Sequence, residues 1–192
     1  MIEENRHKTS VRLCRWFIDC TLTRNHDQDL SLVERSQRAQ DEGANLFISI
    51  HANSSGSGKT DVQGVETFYM EGNDLLSRSN TTGFLFVNCE KDESLVNQLD
   101  EQITNHAAQS KNLASSIQTN LLQTIAQEGF NSPNRGIKRG EYRVFLQSGM
   151  PTALVEVGFL TNPHEAKLLG KHSYRKLLAE GICNGIIAHL EK

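Results

Sequence analysis

Two apolar runs, each ending in a side chain able to do chemistry, constrain this chain most. They are Leu46-Phe47-Ile48-Ser49-Ile50-His51 and Ala153-Leu154-Val155-Glu156-Val157. Runs of this length, bounded by polar segments, read as buried strands. A histidine where a strand leaves a core can bind a metal or move a proton. A carboxylate in the equivalent place can act as acid or base. Each alone has an ordinary reading, a satisfied structural imidazole or a solvated, helix-capping glutamate. As a pair on adjacent strand ends they point to a hydrolytic metal site, with His51 as ligand and Glu156 as acid/base.

The rest of the pattern alternates strands with helices, which predicts a layered α/β fold in one domain over residues 1–192. Val11, Leu13, Cys14, Phe17 and Ile18 predict a helix over 8–18, followed by a short strand at 20–23 and a polar loop at 24–29. Ser31 and Glu34 have capping-box spacing, so a helix runs from there to about Asp41, with Gly43 at its C′ position. Strand 46–51 leads into a Ser- and Gly-rich loop at 53–63, and Val65, Thr67, Phe68 and Tyr69 read as the next strand, ended by Gly72-Asn73.

Segment 71–108 is polar, with a broken helical pattern. Phe84-Leu85-Phe86-Val87 is its strong apolar cluster, and Val96, Leu99, Ile103 and His106 recur at helical spacing. It reads as a helical insertion over one face of the sheet. From Ser110 a clean stripe follows, Leu113, Ala114, Ile117, Leu121, Leu122 and Ile125, closed by Gly129. Residues 131–136 read as a turn-rich loop, and 142–146 and 152–156 as strands. Asn162 is placed to cap a short helix with Pro163 first and Glu165 third. Ser173 is read as the cap of the last helix, whose stripe is Leu177, Leu178, Ile182, Ile186, Ile187 and Leu190.

Composition narrows the function. Hydrophobic residues are 37%, charged residues 22% and the net charge −3, a globular balance with no basic stripe for nucleic acid. No apolar run is long enough to span a membrane. Met1-Ile2-Glu3-Glu4-Asn5-Arg6-His7 has no apolar h-region, so no secretory signal is expected. The four cysteines, Cys14, Cys20, Cys89 and Cys183, form neither CxxC nor zinc-ribbon spacing. Cys14 and Cys183 fall in apolar helical patterns as core residues, and no disulfide framework is expected. No HExxH helix pair is present.

Taken in order, the motifs resemble the zinc-dependent N-acetylmuramoyl-L-alanine amidases of the Amidase_3 family. The resemblance rests on Leu22-Thr23-Arg24, Leu32 and Arg35, Ala44-Asn45-Leu46-Phe47-Ile48-Ser49-Ile50-His51-Ala52-Asn53 and Gly64-Val65-Glu66-Thr67-Phe68-Tyr69. It continues through Ser110-Lys111-Asn112-Leu113-Ala114, Arg135-Gly136-Ile137-Lys138, and Pro151-Thr152-Ala153-Leu154-Val155-Glu156-Val157-Gly158-Phe159-Leu160-Thr161-Asn162. It covers most of the chain except 71–108. It implies a twisted, mostly parallel sheet flanked by helices, of the amidase/phosphorylase-hydrolase type. It also implies cleavage of the amide between N-acetylmuramic acid and the L-alanine of the stem peptide, in the periplasm or cell envelope. On it, His51 looks like a zinc ligand and Glu156 like the glutamate assisting the attacking water.

The chain departs from that pattern at its start. The family opens with a strand ending in a D-P-G-H-G-G-like motif whose histidine is another zinc ligand, and no such segment occurs here. The next family motif, a glutamate heading the first helix, is matched by Glu4 or its neighbour Glu3, Glu4 being preferred as the metal ligand. Three readings stay open: a truncated version of a longer amidase, a degenerate paralogue that binds peptidoglycan without cleaving it, or replacement of the lost histidine by His7 or His106. Division-associated members carry an insertion whose helix blocks the zinc until an activator protein binds, so 71–108 reads as a regulatory lid or as a surface excursion. Glu90, Glu93 and Glu101 are its candidate blocking carboxylates. Asn53 is a candidate for orienting a ligand or binding glycan, and Arg24 for touching substrate or pairing with Asp27 or Asp29. Lys138 and Arg139 can attract an anionic stem peptide or simply be solvated. His26, His164, His172 and His189 have no metal spacing.

Overall fold

The computed structural model describes residues 18–56, 58–71, 93–142, 145 and 149–192, the side chains of 93–100 excepted. Helix α1 spans Leu32–Asp41. Its capping box forms as the sequence requires: Glu34 N donates to Ser31 Oγ at 3.2 Å, and Ser31 N to Glu34 Oε2 at 2.7 Å. The chain then enters β1, Phe47–Asn53. The remaining elements are β2 (Val65–Tyr69), α2 (Glu93–Gln127), β3 (Asn134–Arg139), β4 (Thr152–Phe159), α3 (Pro163–Leu169) and α4 (His172–Leu190).

The four strands form one sheet in the order β1-β4-β2-β3. β1 runs parallel to β4 and β2 parallel to β3, while the join between β2 and β4 is antiparallel. Two of the three pairings are parallel, so the expected mostly parallel α/β sheet forms, with one antiparallel join between its two parallel pairs. β4 is buried at all eight positions, as expected of a strand covered on both faces. Period-2 alternation sorts its side chains. Ala153, Val155 and Val157 pack with Val65, Tyr69, Leu113, Ile117, Leu121, Ile125 and Ile182 in one core, under α2 and α4. Leu154 packs with Phe47, Ala39, Met70, Phe145 and Met150 in a second core on the α1 face.

Several sequence expectations change. The helix of 96–106 and the stripe from Ser110 belong to one unbroken 35-residue helix, α2, so 108 is no boundary between elements. No Gly or Pro interrupts 93–127. Asn134–Gly136, read as the end of a turn-rich loop at 131–136, instead open strand β3, Asn134–Arg139. The strand expected at 142–146 is not formed where it is described: Phe145 N donates to the Tyr142 carbonyl at 3.0 Å, closing a turn. At 20–23 there is only an isolated bridge at Thr21. β1 and β4 run to Asn53 and Phe159, past the ends expected. Ser173 lies inside α4, whose N-cap is Lys171 without a side-chain bond. Leu190 is exposed rather than part of the buried stripe. Cys183 is buried as expected. Cys14, Cys89 and residues 8–17 of the helix predicted over 8–18 lie outside the described residues.

Candidate active site

The sheet aligns three ionisable side chains in one row on its α1 face. His51 and Glu156 are register partners on β1 and β4, and Glu66 and Glu156 are partners on β2 and β4. Neighbouring strands lie about 4.8 Å apart, so the row is compact. Both carboxylates are buried, Glu156 being 8% and Glu66 4% exposed. Like charges directly opposite one another across a sheet repel. This site answers with different surroundings for the two.

Glu66 is fully engaged. Its Oε1 accepts from Asn53 Nδ2 at 2.8 Å, and its Oε2 accepts from Arg135 Nε at 2.8 Å and from Lys138 Nζ. Burial alone would raise its pKa. The hydrogen bonds and charges of Lys138 and Arg135 outweigh that and hold the carboxyl below its ordinary value. Among the described residues Glu156 has no such cationic partners, and its Oε2 is buried without a hydrogen bond. Burial first, and the Glu66 charge second, push its pKa up to about 7. The two carboxyls are driven apart, and Glu156 is poised to take and return a proton at neutral pH.

His51 reaches the surface, yet the atoms around its ring desolvate it in part. That desolvation, then the charge of Arg35, lowers its pKa and keeps the imidazole neutral, the form that ligates a metal. One ring nitrogen, Nε2, lies 3.0 Å from Ser49 Oγ. Tyr142 packs edge-on against Phe68, with ring centroids 5.1 Å apart. Its pKa is raised by burial and then by the charges of Glu156 and Glu66, so it keeps its phenolic proton.

The rim beyond the row is made by a β-bulge. His51 pairs with Glu156 but Asn53 with Phe159, so Val157 and Gly158 together face Ala52. Gly158 takes a φ of 146°, which favours glycine, and a Cβ there would lie 3.3 Å from the Glu165 carboxylate. Asn162 caps α3 as predicted, its Oδ1 accepting from His164 N at 3.0 Å and Glu165 N at 3.1 Å. Glu165 instead accepts from Gly64 N at 2.9 Å and Phe159 N at 2.7 Å, tying the entry to β2 to the end of β4.

The structure therefore brings His51, Glu156 and Asn53 together. The amide of Asn53 serves Glu66, and its Oδ1 accepts from Ser54 N at 2.7 Å. Arg24 is exposed and donates to the Gln28 carbonyl at 3.0 Å, closing its own loop rather than pairing with Asp27 or Asp29. Glu101 is exposed on α2 and His106 is half-buried there. Glu3, Glu4, His7, Glu90 and the Glu93 side chain lie outside the described residues. Glu66 was not singled out from sequence. The signal for it was a carboxylate in the middle of an otherwise uncharged strand, Val65-Glu66-Thr67-Phe68-Tyr69. Among the described residues, no three metal-binding side chains gather. What this face offers a metal is the neutral imidazole of His51 beside the unpartnered oxygen of Glu156.

Comparison with known proteins is consistent along the chain. The model of the family Amidase_3, N-acetylmuramoyl-L-alanine amidase, matches residues 7–188. The uncharacterized protein YqiI of Bacillus subtilis is 30% identical over 170 residues, 88% of this chain and 63% of its own length. The N-acetylmuramoyl-L-alanine amidase LytC of the same organism is 30% identical over 168 residues, 88% of this chain and 26% of its own. The chain thus spans less than two thirds of these relatives. The catalytic domain of CwlV, an N-acetylmuramoyl-L-alanine amidase of Bacillus (Paenibacillus) polymyxa, superposes with a TM-score of 0.61 at 28% identity, over 89% of this chain and 72% of that one. This chain belongs to the Amidase_3 family of N-acetylmuramoyl-L-alanine amidases.

Proposed function

We propose that this chain is a peptidoglycan hydrolase that cleaves the amide between N-acetylmuramic acid and the L-alanine of the stem peptide. The observation that carries the reading is Glu156, a buried carboxyl with a free oxygen and a pKa of about 7, set beside His51 in a member of this family. Glu156 takes the proton of the attacking water and hands it to the departing alanine amine. Burial first, and the facing charge of Glu66 second, keep the Glu156 proton from leaving at lower pH. Zinc is the proposed cofactor, held by His51 and by Glu4 of the family motif. When bound, it polarises the amide carbonyl and makes a water molecule acidic near pH 7.

The test is release of free alanine amine from a muropeptide by zinc-loaded protein. Glu156→Gln lowers the rate by about 10²–10⁴-fold, the usual worth of a positioned acid/base, while leaving zinc per chain unchanged. His51→Ala removes the zinc. No amine released by the zinc-loaded wild type overturns the reading. A non-catalytic binding paralogue has no need for a buried, unpartnered carboxyl at this position.

The periplasm or cell envelope is the proposed location, since that is where the substrate lies. We further propose that 71–108 carries a lid relieved by an activator protein during cell division. Removing 72–92 then raises the cleavage rate, and an unchanged rate in a folded variant counts against the lid.

A further inference from the structure

Two cations serve the single carboxylate of Glu66, and the local geometry explains how both reach it. On β3, Val65 pairs with Asn134 but Thr67 with Ile137, so Arg135 and Gly136 together face Glu66. Gly136, at a φ of 78°, makes this bulge. The extra residue puts Arg135 and Lys138 on the same face, although three positions apart on a regular strand would put them on opposite ones. Arg139, next along, instead pairs with Glu71 at 3.4 Å.

Both heads are held in place by aromatic rings. The Arg135 guanidinium lies 5.1 Å from the Phe159 ring centre and Lys138 Nζ 5.9 Å from that of Phe68. Arg135 spends only Nε on Glu66, and among the described residues its two terminal nitrogens have no hydrogen-bond partner. Both side chains stay open to a ligand, being 33% and 39% exposed. One strand away stands Glu156. Two cations thus face the one carboxylate of Glu66, and the Arg135 guanidinium keeps a planar pair of donors without a partner among the described residues, the match for a second carboxylate.

We propose that Arg135 and Lys138 form a carboxylate-binding subsite that recognises the acidic residue following L-alanine in the stem peptide, and so select free-acid over amidated peptides. The subsite deepens the hydrolase reading and rests on it for the identity of the peptide.

The experiment compares two muropeptides that differ only in an α-carboxylate or an α-carboxamide on that acidic residue. Their dissociation constants are measured by calorimetry on Glu156→Gln, and kcat and KM on the zinc-loaded wild type. The acid form binds roughly tenfold tighter, about what one charge-assisted hydrogen bond supplies, and the difference appears in KM rather than kcat. Lys138→Gln and Arg135→Gln bring the acid-to-amide ratio toward one, Lys138→Arg retains it, and Arg139→Gln leaves it as in the parent. A ratio near one in the parent protein, or binding of neither peptide, overturns the subsite. So does an equal loss for both peptides in Lys138→Gln, which would mean that Lys138 only holds Glu66. If the wild type cleaves nothing, the hydrolase reading falls while the ratio of dissociation constants still decides the subsite.

Discussion

At Glu156, burial and the facing charge of Glu66 move the pKa from 4.5 to about 7. The folded protein therefore holds a proton that the unfolded chain releases earlier. Between pH 4.5 and 7 the folded state binds more protons than the unfolded state, so this group's contribution to stability falls as pH rises. Above pH 7 the ionised, unpartnered carboxylate is a net cost. Glu156→Gln imitates the protonated form. In metal-free protein it is expected to melt higher than the wild type at pH 8, with the gain shrinking to nothing below pH 4.5. Thermal melts at the two pH values check this, and a gain of equal size at both would show that Glu156 is not the titrating group.

Among the elements, the pairing of α2 with α4 is set by two glycines. A Cβ at Gly181 would lie 2.8 Å from Leu121 Cα, and one at Gly185 would collide with Ile117 Cα, in each case with backbone that cannot swing aside. Gly185→Ala gains about 1 kcal/mol of helix propensity but forces the helices apart, and overpacking costs about 1–3 kcal/mol. The net expectation is a Tm lowered by a few degrees. A raised Tm in a calorimetric scan would mean the crossing is looser than its geometry. β3 is the opposite case, a strand with little intrinsic preference. Of Asn134–Arg139 only Ile137 is apolar. It is held by β2 and by buried Gln118 of α2, whose Nε2 donates to the Val65 carbonyl at 2.9 Å and to Asn134 Oδ1 at 2.8 Å.

For the whole molecule, the two cores are built from apolar side chains and the sheet from hydrogen-bonded strands. Cleavage and folding should therefore separate on chelation. On the proposed zinc chemistry, chelation is expected to abolish amide cleavage while leaving the far-UV circular dichroism unchanged, with activity restored by adding zinc back. Loss of the helical signal along with activity would mean that the metal also holds the fold.

The runs of β1, β2 and β4, the α1 capping box, the Asn162 cap and the α2 and α4 stripes were legible in the sequence because each depends on residues a few positions apart. The pairing of His51 with Glu156 is long-range, and is inferred instead from two apolar runs of the same build, each ending in a chemistry-bearing side chain; the register of β1 with β4 makes them neighbours. Tertiary structure decided the rest. Glu66 became a site residue only when antiparallel β2 set it opposite Glu156, and Arg135 and Lys138 joined it only through a bulge on a strand that the sequence does not announce. Those relations join β2 and β3 across 69 and 72 positions of chain, fixed by sheet register and by Gln118, and no local pattern carries that information.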